Sequence, residues 1–442
     1  MNDVRLRDYQ QKTITALERA YAQKRRRVIV NLFCGLGKTI TAMSLVARAV
    51  AKGSRVVWLA RREELLSQAR QAALALGIQE AQVGLVKADS DEVTASLVLA
   101  SAQTLWRTER LARILSAGQP RLVVYDECDD ACATCNRTML DALSPDTFVI
   151  GLTATPERTD GASLAGPFPG GICYSYSLLE AIRDGWLVDF KAIQVDVPEI
   201  QLDALALGGD GDFEDGALAD ALVEDGVIRA TARAWLDHCR GRRTLVFTAS
   251  VLQAERTAIE MRALGARVEA VSGQTPTDAR RAAVAALRRG GLDAVANCAL
   301  FTHGTDLPEV DTILMARPTL SKPLYQQIAG RALRLSPNKD GALIVDLCGS
   351  SLLHSPCTAP ILVGAARGTG GWLGAAALAS RDGGDLKSRT WDVRAQKKTW
   401  AAWVALGNGD VMAASGPERS MVIVKPVGSG GWGLRLLARV CP

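Results

Sequence analysis

Short runs of Val, Ile and Leu alternate along the chain with stretches whose apolar positions recur at helical spacing. The runs are RRVIVNLF, SRVVWLA, SLVLASA, RLVVYDE and TFVIGLTA, then, after an interval, RTLVFTA, ARVEAVS, LDAVANC, TILMARP and GALIVDL. Continuous apolar runs of this length are what strands buried on both faces need, as in parallel sheets covered by helices. Segments such as TITAMSLVARAVA and TDARRAAVAALRRG supply the helices between them. The alternation occurs twice, which predicts two parallel α/β domains in tandem. The break falls at about 190–230, where ALGGDGDFEDGALADALVEDG reads as a solvated acidic loop followed by a helix. Past residue 350 the pattern changes. GTGGWLG, RDGGD, GNGD and GSGGWG are turn clusters, and VMAAS and MVIVKPV are short strand candidates. The expected division is 1–188, 189–352 and a small β-leaning accessory domain over 353–442.

Length and composition agree with this reading. A chain of 442 residues suggests two or three domains, and 48% apolar with 22% charged residues excludes a mostly disordered chain. No uncharged apolar run reaches the ~18 residues of a membrane span, and MNDVRLRDYQ has no leader-like apolar core. The expectation is a soluble protein of a bacterial or phage-infected cytoplasm, without membrane partners. Ten scattered cysteines fit a reducing compartment. Charge is unevenly placed. Residues 351–442 hold 11 Lys+Arg against 5 Asp+Glu, whereas the first 350 hold 41 against 42. Five of the nine tryptophans, Trp372, Trp391, Trp400, Trp403 and Trp432, lie in that basic tail. Cations for phosphates and π-faces for bases make a nucleic-acid surface, with Trp400, Trp403 and Trp432 as candidate contacts. A small β core built on tryptophan fits the same residues, and both readings stay open here.

Three motifs carry chemistry. FCGLGKT at 33–39 follows a strand and opens a helix, the setting of a phosphate-binding loop, although Leu32 stands where the first glycine would be. Gly35, Leu36 and Gly37 would turn backbone N–H groups toward phosphate oxygens at the helix start near Ile40. Lys38 would reach the β- and γ-phosphates, and the Thr39 hydroxyl would serve Mg2+. RLVVYDECDD at 121–130 ends a strand in Asp126 and Glu127, one placed to hold Mg2+ and the other to act on water. LYQQIAGRALR at 324–334 sets Arg331 and Arg334 three apart on a predicted helix face. That face suits arginine fingers, and equally suits a solvated basic surface.

Taken in order, these residues resemble the core of helicase superfamily 2, over roughly residues 5–350. LRDYQ (6–10), FCGLGKT, LARREELLSQA (59–69), LASAQTL (99–105), DECD (126–129), GLTATPER (151–158), TLVFTAS (244–250), NCALFTHGTDLP (297–308) and QIAGRALR (327–334) stand where that family's motifs fall. RDGWLVDF, RPTLSKPLYQQIAGRALR and VDLCGSSLLHS look most like bacterial and phage DEAD/DEAH-type DNA helicases. The resemblance implies two RecA-like domains with ATP and Mg2+ between them. It implies base reading by Gln10, a catalytic centre of Lys38, Thr39, Asp126 and Glu127, and γ-phosphate contacts from Gln327, Arg331 and Arg334, with Arg334 foremost. It implies coupling to nucleotide state through Gly304 and Asp306, and to strand movement through Thr153 and Thr155. Backbone contacts with nucleic acid fall on Arg61, Ser101, Gln103, Thr248 and Thr302.

The implied activity is ATP-driven 3′–5′ movement on DNA with unwinding of the duplex, acting as a monomer on single strands and junctions beside replication, repair or recombination proteins. The alternatives are an RNA helicase, which Asp129 in DECD favours, and a DNA translocase that does not unwind. His303 and Asp129 depart from the nearest pattern. Cys128, Cys132 and Cys135 could begin a zinc site, but no fourth ligand stands nearby, and small buried thiols are the simpler reading.

Overall fold

The architecture is that of a computed structural model describing residues 5–350, except 88–89, 106–107, 132–133, 156–162, 210, 299, 301–306 and 338. Beyond 350 it describes Cys357, Leu362 and the strands of the tail.

The first sheet contains β1 (Arg27–Leu32), β2 (Val56–Ala60), β3 (Val83–Lys87), β4 (Ser90–Asp91), β5 (Leu97–Ser101), β6 (Leu122–Asp126), β7 (Phe148–Thr153) and β8 (Ile172–Tyr176). Their order is β4-β3-β5-β2-β6-β7-β1-β8, and every pairing is parallel except β3–β4. The central strands β2, β6 and β7 are buried at every position, which is why they appear in the sequence as unbroken apolar runs.

The second sheet contains β9 (Phe190–Gln201), β10 (Thr244–Thr248), β11 (Val268–Val271), β12 (Ala294–Cys298), β13 (Thr312–Met315), β14 (Ala342–Ser350) and β15 (Ser388–Asp392). Its order is β11-β12-β10-β13-β14-β9-β15. All pairings are parallel except β15 on β9, where Trp391 lies opposite Ala192. The tail thus lends a strand to the second sheet. A separate antiparallel sheet follows, formed by β16 (Ala401–Ala405), β17 (Val411–Ser415), β18 (Ser420–Val427) and β19 (Gly431–Leu437) in sequential order. Among the described residues, no helix is long and apolar enough to cross a membrane.

One apolar cluster joins the two larger domains. It runs from Phe33, Leu187 and Val188 to Tyr325, Ile328 and Leu333. The Val188 N–H donates to the Leu333 carbonyl at 2.9 Å across the same seam. The C-terminal ends of β1, β6 and β7 therefore face the segment that follows helix Lys322–Ala329. The open side of a parallel sheet is where ligands bind in such folds.

Two sequence expectations change. The acidic stretch is not a solvated loop throughout. Asp212 is only 5% exposed, and its carboxylate accepts the N–H of Leu320 at 2.7 Å, the N–H of Phe213 at 2.9 Å and the Thr319 hydroxyl. Three donors offset the burial of that charge. The expected helix then follows as Asp215–Ala221, capped by Glu214. Likewise, Arg331 and Arg334 do not share a helix face. The helix ends at Ala329 with Gly330 as its cap, and a turn carries both arginines inward.

Candidate active site

The phosphate-loop glycines adopt the backbone that their sequence position requires. Gly35 and Gly37 have φ of +85° and +72°, left-handed values that non-glycine residues rarely adopt. Gly37 directly precedes helix Lys38–Ala51, so Lys38 and Thr39 begin the helix at its positive end. Space is as limiting as torsion. A Cβ on Gly35 would stand 3.3 Å from Arg334 Cγ, and one on Gly37 would stand 2.9 Å from Gln10 Nε2.

Lys38 Nζ lies 3.4 Å from Glu127 Oε1. Burial alone would lower the Lys38 pKa, but Glu127, the Cys34 sulfur and Asp126 outweigh it and hold the ammonium above its usual range. Asp126 closes β6, and its carboxyl is pushed up to about 7 by burial and by the adjacent Glu127. Lys38, the Glu127 N–H and the Thr39 hydroxyl act against that shift. Asp126 Oδ2 is buried without a hydrogen-bond partner. A buried carboxylate oxygen with spare acceptor capacity beside a threonine hydroxyl suits a hard divalent cation such as Mg2+. Glu127 has φ +53°, ψ +60°, a strained conformation for a residue with a side chain.

The second domain closes the same cleft. Gln327, Gly330, Arg331 and Arg334 line it opposite Lys38, Thr39, Asp126 and Glu127, around a volume of about 1170 Å³. Arg331 is 8% exposed, which removes the reading of a solvated basic surface. A Cβ on Gly330 would stand 2.7 Å from the Cys34 Cβ, so the two domains meet backbone to loop at this point. On the first domain Thr153 and Thr155 are buried and bonded to each other. The Thr153 hydroxyl donates to the Thr155 carbonyl and accepts its N–H, both at 3.0 Å.

Other expected residues fall elsewhere. Gln10 is 5% exposed and sits behind the loop. Its Oε1 accepts the Arg7 N–H at 2.9 Å, and its Nε2 lies 3.4 Å from the Leu36 carbonyl. Leu36 is buried, and Ile40 lines the cleft. Arg61 and Gln103 are exposed, and Ser101 is half-buried at the end of β5. Thr248 is 1% exposed, and its hydroxyl lies 3.0 Å from both the Ser250 and the Asn297 carbonyl, either of which can accept its one hydrogen. In this arrangement it braces the end of β10 instead of facing solvent. Trp403 and Trp432 lie in β16 and β19, opposite Ala413 and Pro426. Thr302, Gly304, Asp306, Cys132 and Trp400 lie outside the described residues. Cys128 is buried against Gly151 in the core, and no metal-holding cluster occurs among the described residues.

The sequence reading missed one wall of the cleft. The Arg7 guanidinium lies over the Trp186 ring at 4.8 Å, and both line the cleft. Behind them Tyr9 stacks on Tyr176 at 4.8 Å and donates to the Leu36 carbonyl at 2.8 Å. LRDYQ and RDGWLVDF contain these residues, but nothing in either motif says that they meet. Arg281 and Arg288, from the helix Thr277–Arg288, also line the cleft and carried no motif signal.

Tandem parallel sheets sharing one phosphate-loop cleft define a two-domain P-loop protein of the RecA-like kind. Residues 3–158 match the family described as "Type III restriction enzyme, res subunit", and residues 228–336 match "Helicase conserved C-terminal domain". The chain is 29% identical over 375 residues to the "Putative ATP-dependent helicase IRC3" of Saccharomyces cerevisiae, over 81% of this chain and 53% of that protein. It is 27% identical over 349 residues to the "Putative DNA 3'-5' helicase Rad25" of Halobacterium salinarum, over 77% of this chain and 54% of that protein. Its fold is similar to that of "ATP-dependent Type ISP restriction-modification enzyme LlaBIII bound to DNA". That likeness has a TM-score of 0.59 at 16% identity and covers 79% of this chain and 28% of the other. The two matched domains, with these relatives, indicate a superfamily 2 helicase. The chain spans about half the length of these two curated relatives.

Proposed function

We propose that the chain is an ATP-hydrolysing motor that moves along single-stranded DNA in the 3′–5′ direction and opens duplex ahead of it. One observation carries this reading: residues of both domains line a single cleft, and the domains meet where Gly330 abuts Cys34. Hydrolysis at a shared cleft changes the contact between the domains, and alternate closing and opening moves a strand held across both. In this reading Lys38 and the N–H groups of the Gly35–Gly37 loop bind the triphosphate. Glu127 orients the attacking water and accepts its proton, and Arg331 and Arg334 balance the charge that builds on the γ-phosphate. Thr39 and Asp126 would hold Mg2+, whose charge neutralises the phosphates. Arg7 and Trp186 offer a stacking wall for a base.

DNA as the track is supported by the names of the Halobacterium relative and of the DNA-bound restriction enzyme. The polarity is supported by the name of the former. A second reading is a DNA translocase that does not unwind, favoured by the restriction-subunit family matched over residues 3–158. The test is ATP hydrolysis by wild type and Lys38→Ala with no nucleic acid, with single-stranded DNA and with RNA of the same sequence. Stimulation by DNA, lost in the variant, is expected. Preference for RNA would overturn the track, and no stimulation would overturn the motor. A strand-displacement assay then separates unwinding from translocation.

A further inference from the structure

Lys339 lies beyond every motif so far described, in the loop between the Arg331–Arg334 turn and β14. An ammonium has three donors. Here all three are used on backbone carbonyls: Arg334 at 2.9 Å, Val310 at 2.6 Å and Pro308 at 3.1 Å. Two of these residues, Arg334 and Pro308, line the candidate ATP cleft. The third, Val310, sits just before β13 and closes a turn through its own N–H to the Leu307 carbonyl at 3.2 Å. Among the described residues, no carboxylate forms an ion pair with Lys339. Asp311, the residue after Val310, is instead engaged by Arg242 at 3.3 Å.

We propose that Lys339 is a positioning residue that locks the Arg334 backbone to the Pro308–Val310 turn, so that the segment before β13 and the segment before β14 move as one body at the cleft. A lysine that only filled space would not need to donate all three N–H groups to carbonyls from two separate segments. The arrangement matters because Arg334 also touches the Gly35 side of the cleft, 3.3 Å from where a Cβ would stand. A small shift of its backbone would move the guanidinium off the phosphate, and misplacement near 1 Å costs about a hundredfold in rate. The inference rests on the motor reading for its kinetic consequence but not for the tie itself.

The tie also has a pH signature. Burial holds the Lys339 pKa down to about 8, with Arg334 and Arg242 pushing the same way and Asp311 and Glu309 opposing. Asp189 and Asp340 share its pocket. As pH rises through about 8 the ammonium becomes an amine with two donors, and one of the three bonds is lost.

The experiment compares wild type, Lys339→Met, Lys339→Arg, Arg334→Ala and the Lys339→Met/Arg334→Ala double variant. Amide exchange comes first and needs neither ATP nor DNA. Lys339→Met should speed exchange at Val310, Arg331 and Ala332 together while leaving β10 and β12 protected. Unchanged exchange at either segment overturns the proposal. In DNA-stimulated hydrolysis, Lys339→Met should lower kcat about ten- to a hundredfold with KM for ATP within about twofold. In the Arg334→Ala background the same substitution should change kcat by less than about twofold, because it acts through that arginine. Additive losses would overturn it. Wild-type kcat should fall above pH about 8, and Lys339→Arg, which stays charged, should lack that fall. An unaltered alkaline limb in Lys339→Arg also counts against the proposal. Linked exchange in a wild type without stimulated hydrolysis would sink the motor reading and leave the tie standing.

Discussion

At the scale of single residues, the chemistry was legible wherever it demands a residue type at a fixed place in the chain. Gly35, Gly37, Lys38, Asp126 and Glu127 announce themselves because phosphate, cation and water each need a particular group at a strand end. What the sequence could not reveal is strain and long-range pairing. Glu127 sits at φ +53°, and no local pattern marks it as left-handed. Holding a non-glycine residue there costs roughly 1–2 kcal/mol, so the strain sits at the residue assigned to the water. Two substitutions separate the roles. Glu127→Gln and Glu127→Gly should both reduce ATP hydrolysis by about a hundredfold or more. Glu127→Gly should nevertheless be the more stable of the two by about 1 kcal/mol in urea unfolding, because glycine accepts that backbone. Equal stability would mean the strain is not stored there. Arg7 with Trp186, and Lys339 with Arg334 and Pro308, were invisible for the opposite reason: their partners are remote in sequence, and no periodicity links them.

At the scale of elements, ten apolar runs became ten strands, most of them buried on both faces; β11, at a sheet edge with Glu269 exposed, is the exception. Three that escaped notice, β3, β8 and β9, have mixed burial. β8 is an edge strand with a mixed burial pattern, and β9 alternates over twelve residues, with Pro198 near its end. Alternation over a long stretch beside acidic glycine-rich sequence reads as loop when it is not set against a neighbour. The larger difference is β15, which pairs with β9 although it lies beyond the expected domain boundary. Without it, the backbone groups of Lys191–Val195 would form an open sheet edge, a template for pairing with other chains. A chain ended after residue 355 should therefore scatter more light with rising concentration, and melt lower, than one ended after residue 396. Identical behaviour of the two truncations would show that the β15 pairing contributes nothing to the second domain.

At the scale of the whole molecule, charge and fold divide the labour differently. The first 350 residues are close to neutral, and they hold the cleft and the two sheets that would move. The basic surplus begins after them, and most of it lies past β15. Residues 393–442 hold 7 Lys+Arg against 2 Asp+Glu. They include the antiparallel sheet in which Trp403 and Trp432 lie. A near-neutral motor grips a polyanion weakly, so in the proposed function this sheet supplies the salt-sensitive hold while the motor domains supply the stroke. Ending the chain after residue 396 keeps β15 and should keep basal ATP hydrolysis. It should also flatten the salt dependence of single-stranded DNA binding, by about 0.7 in the log–log slope for each phosphate contact removed. Measured by anisotropy at several salt concentrations, a slope unchanged by the truncation would place the hold on the motor domains instead. A flatter slope together with hydrolysis that now requires more DNA for half-stimulation would assign the tail to tethering, separate from the chemistry that the cleft performs.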